Sequence, residues 1–84
     1  MRVILRFSVN GDSGGAVRNA LAWHLSNINM KNTGTGTWEL ESIPPKNLAL
    51  AMTGFWKIVG DLASVPGAAP DVSIDHVWLY VDAS

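Results

Sequence analysis

Residues 2–9 have the sequence Arg-Val-Ile-Leu-Arg-Phe-Ser-Val, and this stretch decides the fold. Its β-branched and apolar residues, uninterrupted by a turn former, predict a β-strand at the centre of a sheet. Successive side chains of a strand point to opposite faces. One face therefore carries Val3, Leu5, Phe7 and Val9. The other carries Arg2, Ile4, Arg6 and Ser8.

Length and composition predict one folded domain that spans residues 1–84. The chain is 48% hydrophobic and 15% charged, which is typical of a globular protein and not of a disordered one. A net charge of -1 argues against a broad electrostatic surface for duplex DNA or an anionic membrane. The chain has no cysteine, so disulfides and thiolate zinc sites are excluded. No stretch reaches the ~18 apolar residues of a membrane span. We expect a soluble protein without a membrane partner, with the cytoplasm as the default location.

The rest of the chain alternates helix and strand patterns. A helix is expected from the turn at residues 10–15 to about Ser26, and a second from Pro45 to about Ser64. The remaining predicted strands are Ile28–Lys31 and Thr37–Glu41, which form a hairpin, and Val72–Val81. This order predicts an α+β, ferredoxin-like β-α-β-β-α-β fold. Two helices would cover one face of a four-stranded antiparallel sheet.

The two-residue period assigns each strand residue to a face of that sheet. The residues predicted to face the helices are Val3, Leu5, Phe7, Trp38, Leu40, Val77, Leu79 and Val81. We call the opposite surface the open face, and its predicted members are Arg2, Ile4, Arg6, Ser8, Glu39, Glu41, His76, Trp78 and Tyr80. An open face so rich in aromatic residues predicts a binding surface.

Two interpretations of the open face differ in the partner. It could stack the bases of single-stranded RNA while its arginines neutralise phosphates, although Glu39 and Glu41 would repel them. It could instead form a homodimer interface, with the glutamates pairing with Arg2 and Arg6 across a two-fold axis. Balanced charge favours the homodimer.

A glycine-rich turn, Gly11-Asp12-Ser13-Gly14-Gly15, follows the first strand. The same five residues surround the nucleophile of trypsin-like proteases, but only ten residues precede them here, too few to supply a His base and a buried Asp. The turn is expected to cap the next helix through Asp12 or Ser13. Gly11, Ser13, Gly14 and Gly15 could alternatively hold an anion with their backbone N–H groups.

The sequence contains few other residues that could bind a metal or act as an acid or base. The two histidines lie in different predicted elements, so no metal site is expected. Asp75 and His76 are neighbours in the last predicted strand, so their side chains should point to opposite faces and not act together.

The arrangement of these elements resembles the small dimeric ferredoxin-like proteins of the Cas2 and VapD type over nearly the whole chain. The resemblance rests on the first strand, the helix ending near Ser26-Asn27-Ile28, the turn at residues 32–36 and the strand Ile74–Val81. It implies a metal-dependent nuclease with an Asp near the end of the first strand, at a dimer interface. The nearest carboxylate here is Asp12, which with its symmetry mate would hold one Mg²⁺.

Two hypotheses follow. The first is a non-enzymatic homodimeric binding module, without a cofactor, that uses its open face. The second is a Mg²⁺-dependent nuclease or nucleic-acid-binding protein in which Asp12 is the catalytic candidate.

Overall fold

The fold is a four-stranded antiparallel sheet with helices, an α+β architecture, in a computed structural model that describes residues 1–82. The strands are β1 (Arg2–Asn10), β2 (Lys31–Gly34), β3 (Thr37–Leu40) and β4 (Ser73–Asp82). Their order in the sheet is β2-β3-β1-β4. The first strand thus lies inside the sheet, as predicted, and β4 forms one edge.

Within the described residues, three α-helices accompany the sheet: α1 (Ala16–Asn27), α2 (Pro45–Ala51) and α3 (Thr53–Gly60). Short 3₁₀ turns occupy Ser13–Gly15 and Leu62–Ser64. Within residues 1–82, the helices are all too short or too polar to cross a membrane.

The core lies between the helices and one face of β1. Val3 and Leu5 are fully buried, Phe7 is nearly so, and Trp38 of β3 joins them. The α1 residues that contribute to the same core share one helical face, as the spacing predicts: Val17, Leu21 and Leu25. From α3, the Phe55 ring meets Phe7 edge to face at 5.8 Å between centroids.

The predicted second helix is wrong as a single element, because it is divided into α2 and α3 at Met52. Met52 has φ -91° and ψ 4°, outside helical geometry. The adjacent Thr53 hydroxyl donates to the carbonyl of Ala49 at 3.1 Å, a bond back to the preceding turn that bends helices. Met52 at the break and Phe55 in α3 are both buried, so the helical segment still packs on the core there.

The predicted first strand of the hairpin, Ile28–Lys31, is also wrong, because β2 begins only at Lys31. Asn29 adopts a left-handed conformation with φ 66°. The N–H of Asn29 then bonds the carbonyl of Ser26, and the N–H of Met30 bonds that of Leu25, each at 3.1 Å. This is a Schellman motif, with Asn in the place that glycine usually takes. The helix end therefore occupies residues whose alternation suggested a strand.

The predicted helix-facing set lies on one face of the sheet, but the helices do not cover the far half of β4. Leu79 and Val81 pair with Leu5 and Val3, so they lie on the helix-facing side of the sheet. They nevertheless remain 38% and 39% exposed. The helices cover the interior strands and leave this part of the edge strand uncovered.

Candidate functional site

Strand register assembles the open face as the two-residue period predicts. Across β1 and β4, Arg6 lies opposite Trp78, Ile4 opposite Tyr80, and Ser8 opposite His76. On the other side of β1, Ile4 lies opposite Glu39 of β3. Residues directly opposite each other in a ladder project from the same face. The structure thus brings together Arg2, Ile4, Arg6, Ser8, Glu39, His76, Trp78 and Tyr80.

Glu41 is the predicted open-face residue that falls outside this ladder. It lies one residue beyond the end of β3 and is exposed. It lines a cleft of about 580 Å³ together with Arg2, Lys31 and Glu39. This end of the open face therefore mixes both signs of charge.

Arg2 and Glu39 form an ion pair at that end. The Arg2 Nη2 donates to Glu39 Oε1 at 2.6 Å. The hydrogen bond from Arg2, with a further one from Thr33, lowers the pKa of the Glu39 carboxyl. Glu39 likewise raises the pKa of the Arg2 guanidinium. The partner that the sequence assigned to Glu39 across a two-fold axis is thus found within the same chain.

Trp78 and Tyr80 form an aromatic pair in the middle of β4. Their rings are stacked with centroids 6.0 Å apart and planes 14° from parallel. The Arg6 Cζ lies 5.4 Å from the centroid of the Trp78 ring, in cation–π geometry. Both rings are exposed, at 47% and 44%. They make a flat apolar surface with a guanidinium on it.

The other end of the open face is cationic. A cleft of about 310 Å³ is lined by the guanidinium groups of Arg6 and Arg18 and by the imidazole of His76. Its hydroxyl groups come from Ser8, Thr35 and Thr37, and its described lining contains no carboxylate. Guanidinium and hydroxyl donors around one space are the groups that recognise phosphate.

The prediction that Asp75 and His76 point apart is wrong. The His76 Nδ1 lies 3.0 Å from Asp75 Oδ2. The register shifts at this point, since Ser8 pairs with His76 while Val9 pairs with Ile74. Asp75 is therefore the extra residue of a β-bulge, which redirects its side chain. A carboxylate on Nδ1 orients the imidazole and leaves Nε2 available to the cleft.

The Asp12 carboxylate stabilises the start of α1. Its Oδ1 accepts the N–H of Val17 at 3.1 Å, and its Oδ2 accepts that of Arg18 at 2.9 Å. The predicted capping by Asp12 is therefore confirmed, although Gly15 is formally the N-cap. Of the turn residues proposed to hold an anion, Gly15 donates its N–H to the Asp12 carbonyl, and the next N–H groups along the helix, those of Val17 and Arg18, are bonded to the Asp12 carboxylate.

Sequence reasoning missed Arg18 and the hairpin threonines Thr35 and Thr37. The helical period of the buried residues Val17, Leu21 and Leu25 places Arg18 outside the core but does not indicate that it lies near the end of β1. Only the packing of α1 on the sheet brings Arg18 to the cleft that Arg6 also lines. Within residues 1–82, no cluster of three or more His, Asp or Glu side chains could hold a metal ion.

Comparison with known proteins finds no matching family model, no matching curated protein and no matching solved structure.

Proposed function

We propose that this protein is a small homodimeric binding module of the ferredoxin-like class that works through its open face, without catalysis. The observation that carries the proposal is the exposed Trp78–Tyr80 pair. Trp, Tyr and Arg are the residues that most often anchor protein interfaces. Here all three types meet, with Arg6 held against the Trp78 ring.

The exposure of the Trp78 and Tyr80 rings supports the proposal that the open face is an association surface. A large aromatic side chain buries on the order of 150 to 250 Å² when it is covered. Leu79 and Val81 extend the exposed apolar area along the same strand. Covering these side chains would supply a substantial share of the roughly 800 Å² that each partner buries in a stable interface.

The position of Asp12 supports a binding module over the nuclease that the resemblance implies. Both of its carboxylate oxygens accept helix N–H groups. A Mg²⁺ ion shared between two copies would compete with the start of α1 for the same two oxygens.

Sedimentation of matched variants tests the homodimer. The wild-type protein is expected to sediment as a dimer at micromolar concentration. Trp78→Asp should be a folded monomer, because it places a charge in the apolar surface. Trp23→Asp is the control, since Trp23 is 65% exposed on α1, away from the sheet. It should remain a dimer. A monomeric wild-type protein would refute the proposal.

A second function, binding of single-stranded RNA on the same face, is supported by the cationic cleft. Bases would stack on Trp78 and Tyr80 while Arg6 and Arg18 contact phosphates. Glu39, which sequence analysis expected to repel phosphate, is paired with Arg2 at the other end of the face.

Titration with a short oligouridylate tests this second function. Binding should quench tryptophan fluorescence, weaken as salt rises, and be reduced in Arg18→Gln. Lys57→Gln is the control, because Lys57 is exposed in the last turn of α3 and does not line the cleft. Absence of quenching at low salt would eliminate RNA as the ligand.

A further inference from the structure

The exposed residues of β4 point to a specific way in which two copies join. We propose that β4 pairs with β4 of a second copy, antiparallel and edge to edge, with Leu79 on the two-fold axis. Both four-stranded sheets would then form one continuous sheet. The inference rests on the homodimer proposed above and specifies its geometry.

The first observation is that β4 is uncovered on both of its faces. Trp78 and Tyr80 are exposed on the open face, and Leu79 and Val81 are exposed on the helix-facing side. A partner lying flat on the open face would cover only the two aromatic residues. A strand placed alongside β4 covers residues of both faces at once. It also pairs the backbone groups of the free edge.

The second observation is that the two edges of the sheet differ in how they are protected. The β2 edge is four residues long and contains Lys31 and Gly34. Short length, lysine and irregularity are features that keep edges from pairing with other chains. The β4 edge is ten residues long, and its residues 77–81 contain no charge, no proline and no glycine. The bulge at Asp75 interrupts it only near its beginning. The β4 edge therefore has the features of a strand that pairs.

The third observation is that β4 is complementary to itself in one register. A two-fold axis perpendicular to the sheet keeps the two open faces on the same side, so residues of like parity oppose each other. With Leu79 opposite its own copy, Trp78 opposes Tyr80 of the second copy and Val77 opposes Val81. His76 then opposes Asp82, which places an imidazole opposite a carboxylate. Aromatic and aliphatic residues thus each meet a neighbour of their own kind.

Neighbouring registers are less favourable. Centring the axis on Trp78 places Val81 opposite Asp75. Centring it on Tyr80 places Trp78 opposite Asp82. Each puts an apolar side chain directly against a carboxylate. The Leu79 register avoids both pairings.

This geometry leaves the open face accessible. The Trp78–Tyr80 pairs of the two copies would lie side by side at the centre of the joined sheet, with a cationic cleft on each side. Dimerisation through the edge and ligand binding through the open face are therefore compatible.

A single-cysteine variant tests the register, because the chain has no cysteine of its own. Residues directly opposite in an antiparallel ladder have Cα atoms about 4.5 to 5.5 Å apart. A disulfide requires about 4.4 to 6.8 Å. Oxidised Leu79→Cys should therefore run as a covalent dimer on a non-reducing gel. Leu79 is partly exposed, so its replacement should leave the circular dichroism spectrum unchanged.

Val77→Cys is the matched control. In the Leu79 register, the residues at position 77 of the two subunits lie four residues apart along the strands. That distance, about 13 Å, is too far for a disulfide. Oxidising Val77→Cys together with Val81→Cys should give the mixed covalent dimer, because these positions oppose each other. This mixture also tests the register independently of any effect of changing Leu79.

The outcomes separate this inference from the proposed function. If the protein sediments as a dimer but neither Leu79→Cys nor the mixture cross-links, the edge pairing is refuted and the homodimer stands. Cross-linking of Trp78→Cys in place of Leu79→Cys would indicate a dimer formed through the open faces. A wild-type monomer refutes both proposals.

Discussion

β1 and β4 are adjacent, antiparallel strands with similar apolar alternation, yet they differ in burial. Leu5 of β1 is fully buried, whereas Leu79 of β4, directly opposite it, is 38% exposed. Val3 and Val81 differ in the same way. Alternation therefore identifies the face on which a residue lies, but position in the sheet decides whether anything covers it.

The largest expected effect comes from the helix that covers β1. Phe55→Ala should lower the free energy of unfolding by about 3 to 5 kcal/mol, because it removes a fully buried ring from against Phe7. Urea denaturation measures this loss. Trp56→Ala is the control, since Trp56 is adjacent but exposed, and its loss should be clearly smaller. Equal losses would contradict the assignment of the covered side.

The paired leucines test the comparison directly. Leu5→Ala should cost about 2 to 5 kcal/mol, as is typical of a buried leucine. Leu79→Ala should cost about 1 kcal/mol or less, as for a surface position away from special features. Urea melts of both changes in the Trp78→Asp background remove the contribution of subunit association. Similar costs at the two positions would mean that the helices cover β4 as well.

Gly54 tests how closely the helical layer is packed. A Cβ at Gly54 would overlap the His24 ring on α1. Gly54→Ala should therefore destabilise by about 1 to 3 kcal/mol, which is typical of overpacking. Gly60, at the end of the same helix, has open space around it, and Gly60→Ala should instead be neutral or stabilising. Thermal unfolding of the two variants shows whether each change raises or lowers stability. Stabilisation by both would contradict the close approach of Gly54 to the His24 ring.

The smallest expected effect concerns the ion pair on the open face. The pKa of Glu39 is lowered in the folded state, so its contribution to stability is full above the unfolded pKa of about 4.3. That contribution is lost as the pH falls through the lowered pKa. Glu39→Gln should therefore cause a small loss of stability at neutral pH that disappears as acidification protonates Glu39. Urea midpoints at several pH values measure it, and a difference that grows on acidification would have the wrong sign.

Several elements could be predicted because their signals are local. The apolar run of β1 and the spacing of Val17, Leu21 and Leu25 on α1 each indicate an element and its buried side. The elements whose bounds differ from the prediction each depend on a single local arrangement of hydrogen bonds. Asn29 extends the end of α1 into the predicted hairpin, and Thr53 accompanies the break between α2 and α3. A two-residue or four-residue period contains no information about either.

The candidate site was predictable to a similar extent. Placing Arg6, Trp78 and Tyr80 on one face needs only the strand period, and the register confirms it. The contact of Asp75 with His76 was not predictable, because it depends on a bulge in the ladder between two distant segments. The position of Arg18 beside Arg6 depends on how α1 packs across the sheet.

By itself, the sequence determined where the helix and strand patterns lie and which side chains share a face, because these follow from backbone geometry over a few residues. Only the tertiary structure decided that β4 lies at an edge beyond the helices. Burial is a property of the whole arrangement, since a side chain leaves water only when another element lies over it. For Leu79 and Val81 no such element lies within the described part of the chain, and a second copy of β4 is the cover that we propose.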